Sequence, residues 1–230
     1  MSRTTENALP SWRRVLVVVA HPDDESFGLG ALIDTFARSG ADVDVLCLTQ
    51  GEASTLGASP DLASVRAGEL EAAGRALGAR STRLLDLPDG GLAGLDPELT
   101  RHPVREAVAR SRPDGLLVFD TTGISGHPDH VAATAAALDT ADEHRLPVLA
   151  WTLLDELADQ LVTETGVPFV GGGPAADLVV DVDRTAQHEA IACHASQAVP
   201  GSVLWRRLEL QGSTETLRWL RTPDPTDQQN

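Results

Sequence analysis

The chain has 230 residues, of which 42% are hydrophobic and 3% aromatic with no tyrosine, and it carries a formal charge of −16 with a pI near 4.7. That length suits one large α/β domain with a substantial core, and the acidic balance speaks against nucleic acid or an anionic membrane surface as partner, since both need clustered Lys and Arg. Two distant cysteines in apolar contexts, Cys47 and Cys193, predict free thiols rather than a thiolate zinc site. The polar opening residues and the lack of any apolar run of membrane-spanning length lead to the expectation of a cytoplasmic protein, for which a homo-oligomer is compatible with the totals.

Val15–Val19 is an unbroken, β-branched-rich run that reads as a strand buried on both faces, and it leads directly into Ala20-His21-Pro22-Asp23-Asp24-Glu25. A helix follows over 28–39, with Leu29, Leu32, Ile33 and Phe36 at helical spacing and Gly40 as its stop. The second strand is Val43–Leu48. A polar loop then runs to Ser59-Pro60, which opens a helix through Leu62, Val65, Leu70, Ala73 and Leu77. Arg83–Leu87 is the third strand, closed by the turn Pro88-Asp89-Gly90-Gly91, and 97–110 is a helix that must accommodate Pro103. Leu116–Phe119 is the fourth strand. The phrase Gly126-His127-Pro128-Asp129-His130 then launches an alanine-rich helix to about Thr140. Val148–Leu154 reads as a strand, 155–163 as a short helix, 167–173 as a mobile glycine-rich loop, Leu178–Val182 as a late strand and 184–196 as a helix. The tail to Leu220 reads as helical through Val203, Leu204, Leu208, Leu217 and Leu220.

Strands alternating with helices predict a single Rossmann-like α/β domain over 13–222: an open, mainly parallel sheet with helices on both faces and flexible termini at 1–12 and 223–230. In the common strand order 3-2-1-4-5, strands one and four are neighbours at the topological switch point, the crevice where such folds bind ligands. Both His-Pro-Asp phrases fall at that point.

Catalytic zinc takes three His or carboxylate ligands and leaves a position open; His21, Asp24 and His130 supply such a set, for one ion per chain. Asp23 is then a spare carboxylate able to take a proton from water activated by the ion. His127 and Asp129 form a second pair, in which a carboxylate holding the imidazole would favour its protonated form and let it stabilise an oxyanion or protonate a leaving amine. Glu25 is left to orient a neighbour. A single His-Pro-Asp is explained as well by a helix entry, and Asp23 and Asp24 as helix-capping acids, but two such phrases at adjacent strand ends favour a site. A non-catalytic zinc- or nucleotide-binding domain is the alternative. Against nucleotide binding, the turn after the first strand is not a glycine-rich phosphate cradle, and Gly28-Leu29-Gly30 comes too late to serve as one.

Ala20–Glu25 paired with Gly126–His130 resembles the GlcNAc-phosphatidylinositol de-N-acetylase (PIG-L/LmbE-like) family of zinc-dependent N-deacetylases, which act on N-acetylglucosaminyl conjugates. Lesser signals in the same order are Thr49-Gln50-Gly51-Glu52, Arg66 with Glu69, Pro88-Asp89-Gly90 and His194-Ala195-Ser196-Gln197, so that the resemblance spans roughly 15–197. It implies His21, Asp24 and His130 as zinc ligands, Asp23 as general base, His127 oriented by Asp129 as electrostatic or acid partner, and Arg66 lining the pocket of a small N-acylated amino-sugar substrate. Other divalent metals would fit the same ligands. The bland reading of Arg66 is a surface ion pair with Glu69 or Glu71, and that of His194 a structural helix residue. Some family members carry a tyrosine oxyanion donor just before the second phrase; here Thr121–Ser125 fills that loop.

Overall fold

The computed structural model describes residues 6–223. Its sheet has seven strands in the order β3-β2-β1-β4-β5-β7-β6, with β1 Arg14–Val19, β2 Asp42–Thr49, β3 Ser81–Leu87, β4 Gly115–Phe119, β5 Val148–Trp151, β6 Leu178–Asp181 and β7 Thr214–Arg221. The first five strands are parallel in the predicted order, and β7 pairs antiparallel with both β5 and β6. The helices are α1 Asp24–Phe27, α2 Gly30–Arg38, α3 Leu62–Ala76, α4 Pro97–Ser111, the single irregular turn α5 Gly123–Gly126, α6 Pro128–His144, α7 Asp155–Thr165, α8 Thr185–Cys193 and α9 Val203–Gln211.

The unbroken apolar text of β1 is used on both faces. Val15, Val17 and Val19 join one core with Leu29, Ile33 and Phe36, while Leu16, Val18 and Ala20 join a second with Leu116, Ala137 and Val148. Burying a valine or leucine fully is worth about 1.5–3 kcal/mol, so a strand with two covered faces sits at the sheet centre and fixes where its carboxyl end emerges. Among the described residues no helix is long and apolar enough to cross a membrane, and both cysteines are free.

Five expectations are corrected. The tail is not one helix: α9 ends at Gln211, a turn at Gly212-Ser213 follows, and 214–221 becomes β7 between β5 and β6. Leu217 and Trp219 face one core there and Leu220 the other, while buried Glu215 accepts hydrogen bonds from Trp151 Nε1 (2.7 Å), Arg184 (2.5 Å) and Arg207 (3.2 Å). The opening segment is not loose from residue 6 onward: Glu6 is bridged to β6, and Trp12 stacks on Phe36 at 5.8 Å and meets Trp219 edge-on at 5.9 Å. Residues 1–5 and 224–230 lie outside the described residues. The helix expected over 28–39 begins two residues late, at Gly30, after the separate short turn α1; Gly28, between the two, packs so tightly on the Phe119 ring that a Cβ would come within 2.3 Å of it. The 167–173 loop is tied down by Val170 N–H to Ile124 O (2.7 Å), Gly172 N–H to Leu153 O (2.8 Å) and Gly173 N–H to Asp155 Oδ1 (2.9 Å). The fifth strand also stops at Trp151, three residues early, as Leu154 turns out to cap α7.

Candidate metal centre

The first phrase leaves β1 in an unusual turn. Asp23 caps α1 with φ 124°, a conformation that L-residues rarely adopt and that costs of order 1–3 kcal/mol. Three neighbours hold it there. Glu25 Oε2 accepts the Asp23 N–H (2.9 Å), and Glu25 Oε1 is gripped in turn by His194 Nε2 (2.6 Å) and Ser26 Oγ (2.5 Å), all of these side chains fully buried. The Arg66 guanidinium donates to Pro22 O and to Gly51 O (2.7 Å) and pairs with Asp23 Oδ1 at 3.1 Å. Gly51, at φ 64°, makes room: a Cβ there would lie 2.1 Å from Arg66.

The second phrase follows the loop after β4, where buried Asp120 and the strained Ile124 (φ 65°) set the path. His127 is the N-cap of α6, and its Nδ1 accepts the Asp129 N–H at 3.2 Å; Pro128 takes the first helical position, where its missing N–H costs nothing. The Asp129 carboxylate does not hold His127 as expected. Two backbone N–H groups of the turn after β3 capture it, Gly90 at 2.7 Å and Leu92 at 3.0 Å, and it lies 3.4 Å from His21 Nε2.

The two phrases converge although 109 residues separate His21 from His130. His21 Nδ1 lies 3.2 Å from His130 Nε2 and 3.5 Å from Asp24 Oδ2, and His130 Nε2 lies 3.1 Å from Asp24 Oδ1. Ligand atoms about 2.0–2.1 Å from a tetrahedral zinc would stand about 3.3 Å apart, so the spacing of these side chains is close to that of such a site, with one Asp24 oxygen turned to each imidazole. The outer ring nitrogens fit as well. His130 Nδ1 faces Gly123 O at 3.0 Å, and His21 Nε2 faces Asp89 Oδ1 at 3.0 Å. Each is thereby set to donate outward, so that once the inward nitrogen gives up its proton a lone pair faces the ion, the arrangement seen at metal-binding histidines. His127 also lies close enough to form a donor group with His21 and His130, its ring stacked on His130 at 4.7 Å.

Electrostatics points the same way. Burial would lower the His21 pKa, but Asp24 and Asp89 override it and raise the ring to about 11, so this pocket demands a positive charge, here a proton. Burial would raise Asp24, but His130 and His21 hold it well below the usual carboxylate range. Asp23 behaves oppositely: burial, opposed by Arg66 and reinforced by Asp24, pushes it up to about 7. Burial together with His130 and His21 lowers His127, keeping it neutral at neutral pH. All of these except Asp129 line one cavity of about 500 Å³, together with Arg66 and Asp89.

Residues 16–141 match the family described as PIG-L, GlcNAc-PI de-N-acetylase. The chain belongs to the PIG-L family. It is 34% identical over 202 residues to the 1D-myo-inositol 2-acetamido-2-deoxy-alpha-D-glucopyranoside deacetylase of Rhodococcus opacus (strain B4), covering 71% of this chain and 68% of that one. Among solved structures it is similar to the N,N'-diacetylchitobiose deacetylase from Pyrococcus horikoshii, with TM-score 0.66, 21% identity and coverage of 94% of this chain and 89% of that one. It is also similar to a triple mutant of a deacetylase from the teicoplanin biosynthetic pathway, with TM-score 0.68, 24% identity and coverage of 92% and 99%. At such identities the structural likeness is one of fold.

In this PIG-L chain His21, Asp24 and His130 come together, with Asp23 and His127 beside them. Arg66 is buried and paired with Asp23, not on the surface with Glu69 or Glu71; Glu69 accepts instead from the N–H and hydroxyl of Ser196. His194 is the strut behind Glu25. Asp89 is the member that sequence reasoning read only as a turn residue and a minor motif; its signal was its place at the end of β3, one strand end from β2 and two from β1.

Proposed function

We propose that this PIG-L protein is a zinc-dependent hydrolase that removes an N-acyl group from an N-acetylglucosamine-containing or related small-molecule conjugate in the cytoplasm. The observation that carries this reading is the convergence of three donor side chains, His21, Asp24 and His130, whose nearest nitrogens and oxygens stand 3.1–3.5 Å apart, from two phrases that also bring the half-buried carboxylate of Asp23 to the same cavity. His21, Asp24 and His130 would hold zinc or another divalent ion, which would supply Lewis acidity to the amide carbonyl and to the attacking water.

The protein residues then divide the proton work. Asp23, raised to about 7, is poised as a base near neutral pH and takes a proton from the attacking water. The water oxygen bonds to the acyl carbon. Because Nδ1 of His127 already accepts a backbone N–H, the neutral ring presents Nε2–H to the cavity, where it can donate to the developing oxyanion. That supplies the donor a tyrosine would otherwise give. Asp23 returns its proton to the nitrogen as the C–N bond breaks, yielding a carboxylic acid and a free amine, between which the acid's proton then passes. Arg66 anchors Asp23 throughout and borders the substrate space.

The test begins with elemental analysis of purified protein beside His130→Ala. We expect about one zinc per chain in the wild type and a large loss in the variant, followed by amine release from N-acetylglucosaminyl conjugates by the wild type. A wild type that neither contains nor takes up a divalent metal ends this reading.

A further inference from the structure

The cavity around the candidate metal centre has two unlike walls. On the β2 and β3 side stand Ser54, Asp89 and Gln197, with Ser54 Oγ donating to Gln197 Oε1 at 2.8 Å. Apolar lining comes from Phe119 and Trp151 of β4 and β5, Phe27 of α1, Phe169 of the loop after α7 and Val203 and Leu204 of α9, with Ser125 the polar residue of the loop after β4. The chain has only four phenylalanines, four tryptophans and no tyrosine, and three of the phenylalanines and one tryptophan lie in this one wall. The apolar wall begins at the metal ligands themselves: the His130 ring meets Phe119 edge-on at 5.0 Å, and Phe119 meets Trp151 at 5.1 Å.

An acetyl group offers a single methyl to such a wall, and sugar hydroxyls placed there would lose their hydrogen bonds. Charge is also provided for. The one cation in that wall, Arg207, stands 4.9 Å over the Trp151 ring and is already bound to Glu215 (3.2 Å), Gln211 (3.0 Å) and Phe27 O, so it does not call for an anionic substrate group.

Resting on the hydrolase reading, we propose that the acyl group removed is a neutral aliphatic chain longer than acetyl. The chain lies along Phe27, Trp151, Phe169 and Leu204, with the polyhydroxylated amine portion against Ser54, Asp89 and Gln197. Hydrolysis then releases a fatty acid and a free amino sugar.

The experiment compares N-acetyl-, N-butanoyl-, N-hexanoyl- and N-octanoyl-glucosamine as substrates of the zinc-loaded wild type, by amine release. Calorimetric binding of the same four to Asp23→Asn runs in parallel. Each buried methylene is expected to add about fourfold, so hexanoyl should exceed acetyl at least tenfold in kcat/KM. The Leu204→Gln variant, altered on the more open part of the wall, should reduce that ratio severalfold. Acetyl as the best substrate, with flat or falling affinity along the series, overturns the proposal. So does an octyl glycoside of N-acetylglucosamine that gains as much as the hexanoyl amide, because the apolar group would then be the aglycone. Affinity rising with chain length without turnover of any member would uphold the wall's assignment and sink the hydrolase reading instead.

Discussion

His21-Pro22-Asp23-Asp24 and His127-Pro128-Asp129-His130 are nearly the same text, each at the end of a central parallel strand, yet the fold uses them in opposite ways. The second enters its helix by the rules: an extended His127 whose side chain caps, and proline at the first of seventeen helical residues. The first enters through Asp23 at φ 124° with no side-chain cap and yields only four helical residues. The carboxylates differ accordingly. Asp129 is fully satisfied by backbone N–H groups of another loop, whereas Asp23 is left with one buried guanidinium and a raised pKa. A capped, bonded residue holds a framework in place, and the strained, under-bonded one is the group free to exchange a proton.

The strongest way to break that contrast is Asp23→Asn. We expect kcat to fall by about 10²–10⁴-fold, the usual worth of a positioned acid–base group, with zinc content unchanged; equal loss of metal would make Asp23 a ligand instead. Next is Asp89→Asn, which weakens the carboxylate behind His21 Nε2. Zinc affinity, read by competition with a chelator, should drop about 10–100-fold. The smallest effect is on the pH profile. Asp23 must be ionised to act, so kcat/KM should rise as pH climbs through its pKa, which is about 7 without a metal and lower beside a bound divalent ion, and level off above it. Since Arg66 lowers that pKa, Arg66→Gln should move the rising limb to higher pH; a limb that stays put would show that another group sets it.

Much of this was legible in the sequence because it rests on local patterns. The β1 run, the two phrases and the 3-2-1-4-5 order follow from apolar periodicity and the handedness of crossovers. What was hidden depends on long-range partners. The 214–221 segment has leucines at spacings that a helix also satisfies, and only pairing with β5 and β6, together with the buried Glu215 cluster, selects the strand. Proximity in sequence suggested that Asp129 serves His127, but the turn after β3 outbids it with two N–H donors. The Glu25–His194 bond joins residues 169 apart, and no periodicity in either segment announces it.

The backbone at Asp23 carries a consequence for how this protein can change. Glycine would adopt φ 124° without strain, so on the backbone's account alone stability would favour glycine there, although Arg66 would lose its partner. Position 23 is thus where durability and chemistry compete for one residue, and a PIG-L chain that had ceased to act on substrates would be free to become sturdier at that point.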